Sequence, residues 1–413
     1  MSKTSWWVLL GLALLWWLTA GSLRQALPPE PVVIQAGPVG GSFDVHARQY
    51  AEQLRAHGFQ VEVRNQDESL RIIDRVNDEA SGVQIGFSAQ RVHVLRHPQV
   101  LSAGVVELQP LFLFLRRGIE APPTLAGLAG RRLVMPPDAS ITAQAARDVL
   151  GRYAVSSANA TFSFKPIAEA AAALQRGEHD AGFFMLAPNN ALVRRLAADP
   201  GLVLVSVGDA PGISRHVDYL KPATLVRGAF DLQRPQPPHD VAMIGAAVNV
   251  IVQADIHPAV LYALLHAMNV VHKGQTLVSE AGEFPRQTSA GLALHPLAQE
   301  WSRDGTPWLY SHLPSAAAGL VDAYWGPTLV LLTLVSVLGT MRSLSAFIDT
   351  VVLAVLLQAL AWAQRRVRRH GRPGRLGRLV FRVAEPIILR RGHEQEALAR
   401  LERLRPHVVA DGR

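Results

Sequence analysis

The 413-residue chain contains no cysteine. That absence excludes disulfides, thiolate zinc sites, a cysteine nucleophile and a lipid anchor on cysteine, so any membrane attachment must come from peptide segments. Charge is also scarce: 18% of residues are charged against roughly 25% in an average soluble chain. With 49% hydrophobic residues and a mean hydropathy of +0.15, part of the chain is expected in a membrane. A catalytic constellation is lacking too. Glu30, Asp67, Glu68 and Glu107 make no pair with evident acid/base spacing, and no HExxH occurs. His93 and His97 stand at i and i+4 but have no third ligand at a helpful spacing, so a solvated helix face fits them better than a metal. Neither an enzyme nor a metal or cofactor is expected.

The net charge of +8 is not spread along the chain. Of the 41 bases and 33 acids, 14 arginines and 5 acids fall after residue 364, which leaves 27 bases and 28 acids before it. A basic stripe directly after an apolar run reads as a cytoplasmic juxtamembrane anchor, and no nucleic-acid partner is expected. At the other end, Lys3 precedes an unbroken apolar run over residues 6–20, the layout of a signal sequence or an uncleaved anchor. The pairs Trp6/Trp7 and Trp16/Trp17 resemble interfacial belts and favour a retained anchor over residues 1–24. Either way the part that follows is exported. Two further apolar stretches, 316–341 and 346–363, are long enough for one span and one second membrane or interfacial helix, with the Arg-rich tail, residues 364–413, inside.

Between these lies an α/β pattern. Strand-length apolar runs at 32–36, 60–64, 83–87, 131–135 and 181–185 alternate with amphipathic helices at 43–57, 70–79, 141–150 and 167–175, punctuated by Gly, Pro and Asn. Ser140 is placed to cap the helix that starts at Ile141. Two long apolar strand candidates, 111–115 and 242–252, bracket a middle section with its own strands and helices. Bracketing of this kind expects an inserted lobe, residues 113–239, set on a first lobe made of 31–112 and 240–314, with a cleft between them; the alternative is two domains in series. Clefts of this type meet ligands at strand ends and helix N-termini.

One turn in that frame has binding character. Gly37-Pro-Val-Gly40-Gly41-Ser42-Phe43 lies between a strand and a helix, is neither a P-loop nor a GxSxG elbow, and lets backbone approach a ligand. Taken with Ser88-Ala-Gln90, Pro137-Asp-Ala-Ser140-Ile-Thr142, Phe183-Phe184-Met-Leu-Ala-Pro188 and the stretch Tyr219 to Leu232, it resembles the TAXI-type solute-binding subunits of tripartite ATP-independent periplasmic (TRAP) transporters, in the variant with membrane segments after the binding domain. Gly37 to Phe43 is similar to that family's GxxGGxY opening, residues 137–142 to its PEGSGT turn and residues 183–188 to its FFVAGP.

The resemblance implies a two-lobed periplasmic-binding-protein fold of the second type. It also implies a small organic solute held by Gly40, Gly41, Ser42, Phe43, Asn65, Ser69, Ser88, Gln90, Ser140, Thr142 and Phe184, and transfer to TRAP membrane subunits. The chain departs from the family at Phe43, where a tyrosine hydroxyl is lost, at Asp67 and Glu68 in place of two glycines, and at Ile141 in place of a third. These changes are expected to bulk up and acidify the pocket. The function expected is an extracytoplasmic receptor, anchored in the inner membrane, for a small solute such as a carboxylate. A membrane-tethered sensor or scaffold using the same cleft is the alternative, motivated by the basic tail.

Overall fold

In the computed structural model, the described residues are 27–92, 94–288, 291–340, 344–370, 379–386, 399, 401–403 and 405. Those up to Ala323 form one compact unit and those from Tyr324 belong to another.

The first unit opens on β1 (Val32–Ala36), five successive buried residues, as a strand covered on both faces requires. Next comes α1 (Ser42–Ala56), whose Phe43, Ala47, Tyr50, Ala51 and Leu54 fall on one stripe and are buried. β2 (Val61–Asn65), a 3₁₀ turn at Ser69–Arg71, α2 (Ile72–Asn77) and β3 (Ile85–Ser88) follow. Then β4 (Val100–Arg116) runs for 17 residues. The middle of the chain supplies β5 (Arg132–Met135), α3 (Ile141–Arg152), β6 (Thr161–Phe164), α4 (Ile167–Gln175), β7 (Ala181–Met185), α5 (Ala191–Ala198), β8 (Leu202–Leu204), α6 (Ala210–His216) and β9 (Leu220–Leu225). β10 (Val241–Gln253), α7 (Pro258–His272), α8 (Pro296–Asp304) and α9 (Trp308–His312) complete the unit.

The strands join in the order β2-β1-β3-β10-β4-β7-β5-β6, with β8 added on β4 and β9 on β10. Pairs β1–β2, β1–β3, β5–β6 and β5–β7 are parallel, whereas every pairing of β4 and β10 is antiparallel. The sheet is therefore mixed and not purely parallel. β4 and β10 pair with each other from Val100 opposite Gln253 to Pro110 opposite Gly245. Past that point they diverge in partners. Leu111 to Leu115 pair with β7, and Val241 to Ala246 with β9. Two long strands thus pass from the group around β1 to the group around β5. They approach so closely that a Cβ on Gly245 would lie 2.7 Å from the carbonyl oxygen of Gln109, so glycine is required there.

From Ser315, at the end of the first unit, and on into the second, the chain is helical where membrane segments were expected. α10 (Ser315–Thr340) and α11 (Leu344–His370) cover the two stretches, and α11 continues well past residue 363 into the arginines. Among the described residues, no helix is long and apolar enough to cross a membrane. The structure therefore gives no support to spans at 316–341 and 346–363, and residues 1–24 lie outside the described residues. Leu356, Leu360 and Ala363 form one face of α11 and pack with Phe381, Ala384 and Leu401.

Candidate functional site

The two turns singled out in the sequence face each other, but their polar groups bind protein. Ser42, first residue of α1, accepts a 2.6 Å hydrogen bond from the backbone N–H of Ala187, just beyond β7. The Asn190 amide donates to the Gly40 carbonyl at 3.0 Å, while its carbonyl oxygen caps α5. Ser69 accepts from the N–H of Ile141 at 3.0 Å, and the N–H of Leu70 reaches the carbonyl of Ala139. Ser140 caps α3 through the N–H of Ala143, as its position predicted, and Thr142 accepts from the N–H of Met185. The space left between the turns is a void of about 40 Å³ lined by Gly41, Ser42, Phe43, Ser69, Ser140 and Thr142 among others. That volume suits a few waters, not an organic solute.

The larger opening lies beside it. A cleft of about 640 Å³ is bounded by Gly40, Ser42 and His46 from the start of α1, by residues 187–192 and Arg195 from the β7–α5 region, and by His272 and residues 274–276 after α7. On its lining three buried titratable groups converge. His46 Nε2 lies 2.9 Å from Glu107 Oε1, and Tyr50 Oη lies 2.7 Å from His272 Nε2. The ligand atoms of His46, Glu107 and His272 all fall within 4.8 Å of one another. Burial works against charge on both members of the His46–Glu107 pair, yet their attraction prevails: the imidazole is raised above its usual value and the carboxyl held below its own. Burial and the neighbouring His46 push His272 down to about 3, so that ring is neutral at neutral pH. The amide of Gln109 donates to Glu107, and the ring of His46 meets that of His272 edge-on at 4.7 Å.

The remaining predicted residues sit elsewhere. Asn65 donates to the Gly37 carbonyl and to Asp44, and so holds the glycine turn from behind. Ser88 ends β3 and Gln90 lies just beyond it; Ser88 Oγ and Gln90 Oε1 are buried without a hydrogen-bond partner, and neither residue lines the cleft. Phe184 is fully buried, packed in the core with Phe112 and Phe114. Phe43 stacks on Phe87 with ring centroids 5.2 Å apart, so a packing contact occupies the place of the expected tyrosine. Asp67 and Glu68 are exposed and Glu68 faces Arg71, so they do not acidify the cleft. Ile141 does line the small void, which fits the bulkier turn expected there. His93 lies outside the described residues, and His97 pairs with Asp74 at 3.0 Å. Sequence reasoning missed the His46, Glu107 and His272 cluster because those residues lie on α1, β4 and the end of α7, far apart in the chain.

No family model matches the chain, and no curated protein does. Among solved structures it is similar to an ancestral arginine-binding protein bound to arginine, with 14% identity, 60% of this chain and 95% of that one covered, and a TM-score of 0.39. An alkanesulfonate-binding protein from Xanthomonas axonopodis pv. citri bound to MOPS matches at 14% identity, over 59% and 73% of the two chains, with a TM-score of 0.38. An amino acid ABC transporter substrate-binding protein from Streptococcus pneumoniae bound to L-arginine matches at 12%, over 58% and 88%, with a TM-score of 0.37. Scores of this size assign no ligand to the chain, and the architecture rests on the strand order above.

Proposed function

We propose that the chain is an extracytoplasmic receptor that captures a small organic solute in the 640 Å³ cleft and delivers it to the membrane subunits of a TRAP-type transporter. The observation that carries this reading is the cleft itself. Its volume lies in the range of small-molecule sites, and its walls come from both strand groups joined by β4 and β10. Two strands shared between groups make a hinge on which those walls can separate and close over a solute. Arg195 and the N–H groups at the start of α5 favour a solute bearing a carboxylate, consistent with the expectation from the sequence. The TRAP assignment rests on the order of motifs from Gly37 to Leu232. The inner-membrane location, with the binding part outside and the arginines inside, rests on the apolar run at 6–20 and on the 14 arginines after residue 364.

The test is a thermal-shift screen of the full chain against amino acids, carboxylates and sulfonates. A solute present at 100 times its dissociation constant adds about 2.7 kcal/mol of stability. A specific, saturable shift with one chemical class supports the receptor reading, whereas a flat response across the set speaks against it.

A further inference from the structure

We propose that His46, Glu107 and His272 form a binding site for a zinc-class divalent cation on the wall of the cleft. The inference goes beyond the solute reading and does not rest on it. Two imidazoles and one carboxylate form the donor set that suits zinc, cobalt or nickel, while magnesium and calcium require oxygen ligands throughout. All three residues are buried, with relative exposures of 8%, 4% and 7%, yet each reaches the cleft lining. Their ligand atoms already lie within 4.8 Å of one another, so small side-chain adjustments bring them around one ion.

The surroundings match what metal ligands need. A ligating histidine binds through one nitrogen while a partner holds the other, and ligating carboxylates are themselves hydrogen-bonded. Here Gln49 Oε1 lies 3.4 Å from His46 Nδ1, the Tyr50 hydroxyl contacts His272 Nε2, and the Gln109 amide holds Glu107. Tyr50 is fully buried, on the same helix as His46, and its position is fixed by packing on Phe87. A purely structural ion pair between His46 and Glu107 needs neither His272 beside it nor an opening to a cleft. Three protein ligands leave at least one coordination position directed to the cleft, open to water or to a donor oxygen of a bound molecule.

The experiment is a titration of the full chain, stripped with chelator, with Co²⁺ alone, read by visible absorption and calorimetry, followed by displacement with Zn²⁺. One equivalent should bind with the intense bands of a low-coordinate site, Zn²⁺ should abolish them, and Mg²⁺ should not. Glu107→Gln should lose the bands, and Tyr50→Phe, which acts only through His272, should weaken binding by about 10- to 100-fold. His97→Ala, at a histidine paired with Asp74 away from the cleft, should change nothing. The wild-type arm decides even if a variant fails to fold, since the absence of saturable Co²⁺ and Zn²⁺ binding overturns the proposal. Retention of wild-type affinity in folded Glu107→Gln, or its loss in His97→Ala, overturns it too. Because only the metal is added, failure here leaves the solute screen unaffected.

Discussion

Ser42→Ala separates two roles that the glycine turn could play. If Ser42 holds solute directly, its removal weakens binding and leaves the free protein's shape alone. The structure gives it another partner: its hydroxyl accepts the Ala187 N–H at 2.6 Å, both groups being buried, across the two strand groups. In the closed form the substitution leaves that N–H unpaired, at a cost of about 1–3 kcal/mol, whereas opening returns it to water. The closed form should therefore lose about that much relative to the open one, and every 1.4 kcal/mol is a tenfold change in their ratio. A solute that binds only the closed form loses affinity by the same factor once the open form predominates. Ser69→Ala removes the acceptor of the Ile141 N–H; if the proposed hinge opens, both bonds break together, and the double variant should show the sum. Small-angle scattering of the solute-free proteins and calorimetry on the same samples read both quantities. An unchanged radius of gyration in both single variants and the double one would refute this account of the turn.

Three other outcomes follow from particular contacts. Gly245→Ala places a methyl group 2.7 Å from the Gln109 carbonyl, and the urea midpoint should fall by the equivalent of about 1–3 kcal/mol; an unchanged midpoint would mean that the two long strands have room to part. For Asp44, burial disfavours the charged carboxylate, but the Gly40 N–H, the Asn65 amide and Arg48 outweigh it and hold the folded value below the usual one. Its contribution is then complete above the unfolded value of about 3.9 and is lost as pH falls through the folded value, so Asp44→Asn should flatten the acid limb of stability against pH; parallel limbs for the two proteins would contradict this. A reporter fused after Arg413 should be active only in its cytoplasmic form, and activity on the exported side would reverse the topology.

Local signals made much of the frame legible. β1, α4 and β7 occupy the residues their patterns marked, since each is a mostly apolar or alanine-rich run followed by Gly or Pro. β4 was legible only at its end. Its first eleven residues contain Gly104, Glu107, Gln109 and Pro110, which interrupt a hydrophobic pattern, and Glu107 and Gln109 are buried by contacts no local window contains. The stretch read as one helix at 70–79 divides into a 3₁₀ turn and α2, because Ser69 is held across to Ile141. At the site, motif order brought out the two facing turns but not that their hydroxyls accept from protein backbone, Ser42 from Ala187, Ser140 from Ala143 and Thr142 from Met185. The larger cleft was hidden, since its distinctive side chains come from α1, β4 and α7 and only the crossing of β4 with β10 unites them.

The most direct measurement of the central claim is a crystal structure of the full chain grown with the strongest compound from the thermal-shift screen. The account predicts the compound inside the cleft, in contact with the α1 wall at Gly40 or His46 and with the β7–α5 wall at Asn190 or Arg195. A compound bound with high occupancy elsewhere on the surface, with the cleft holding only water, would contradict it.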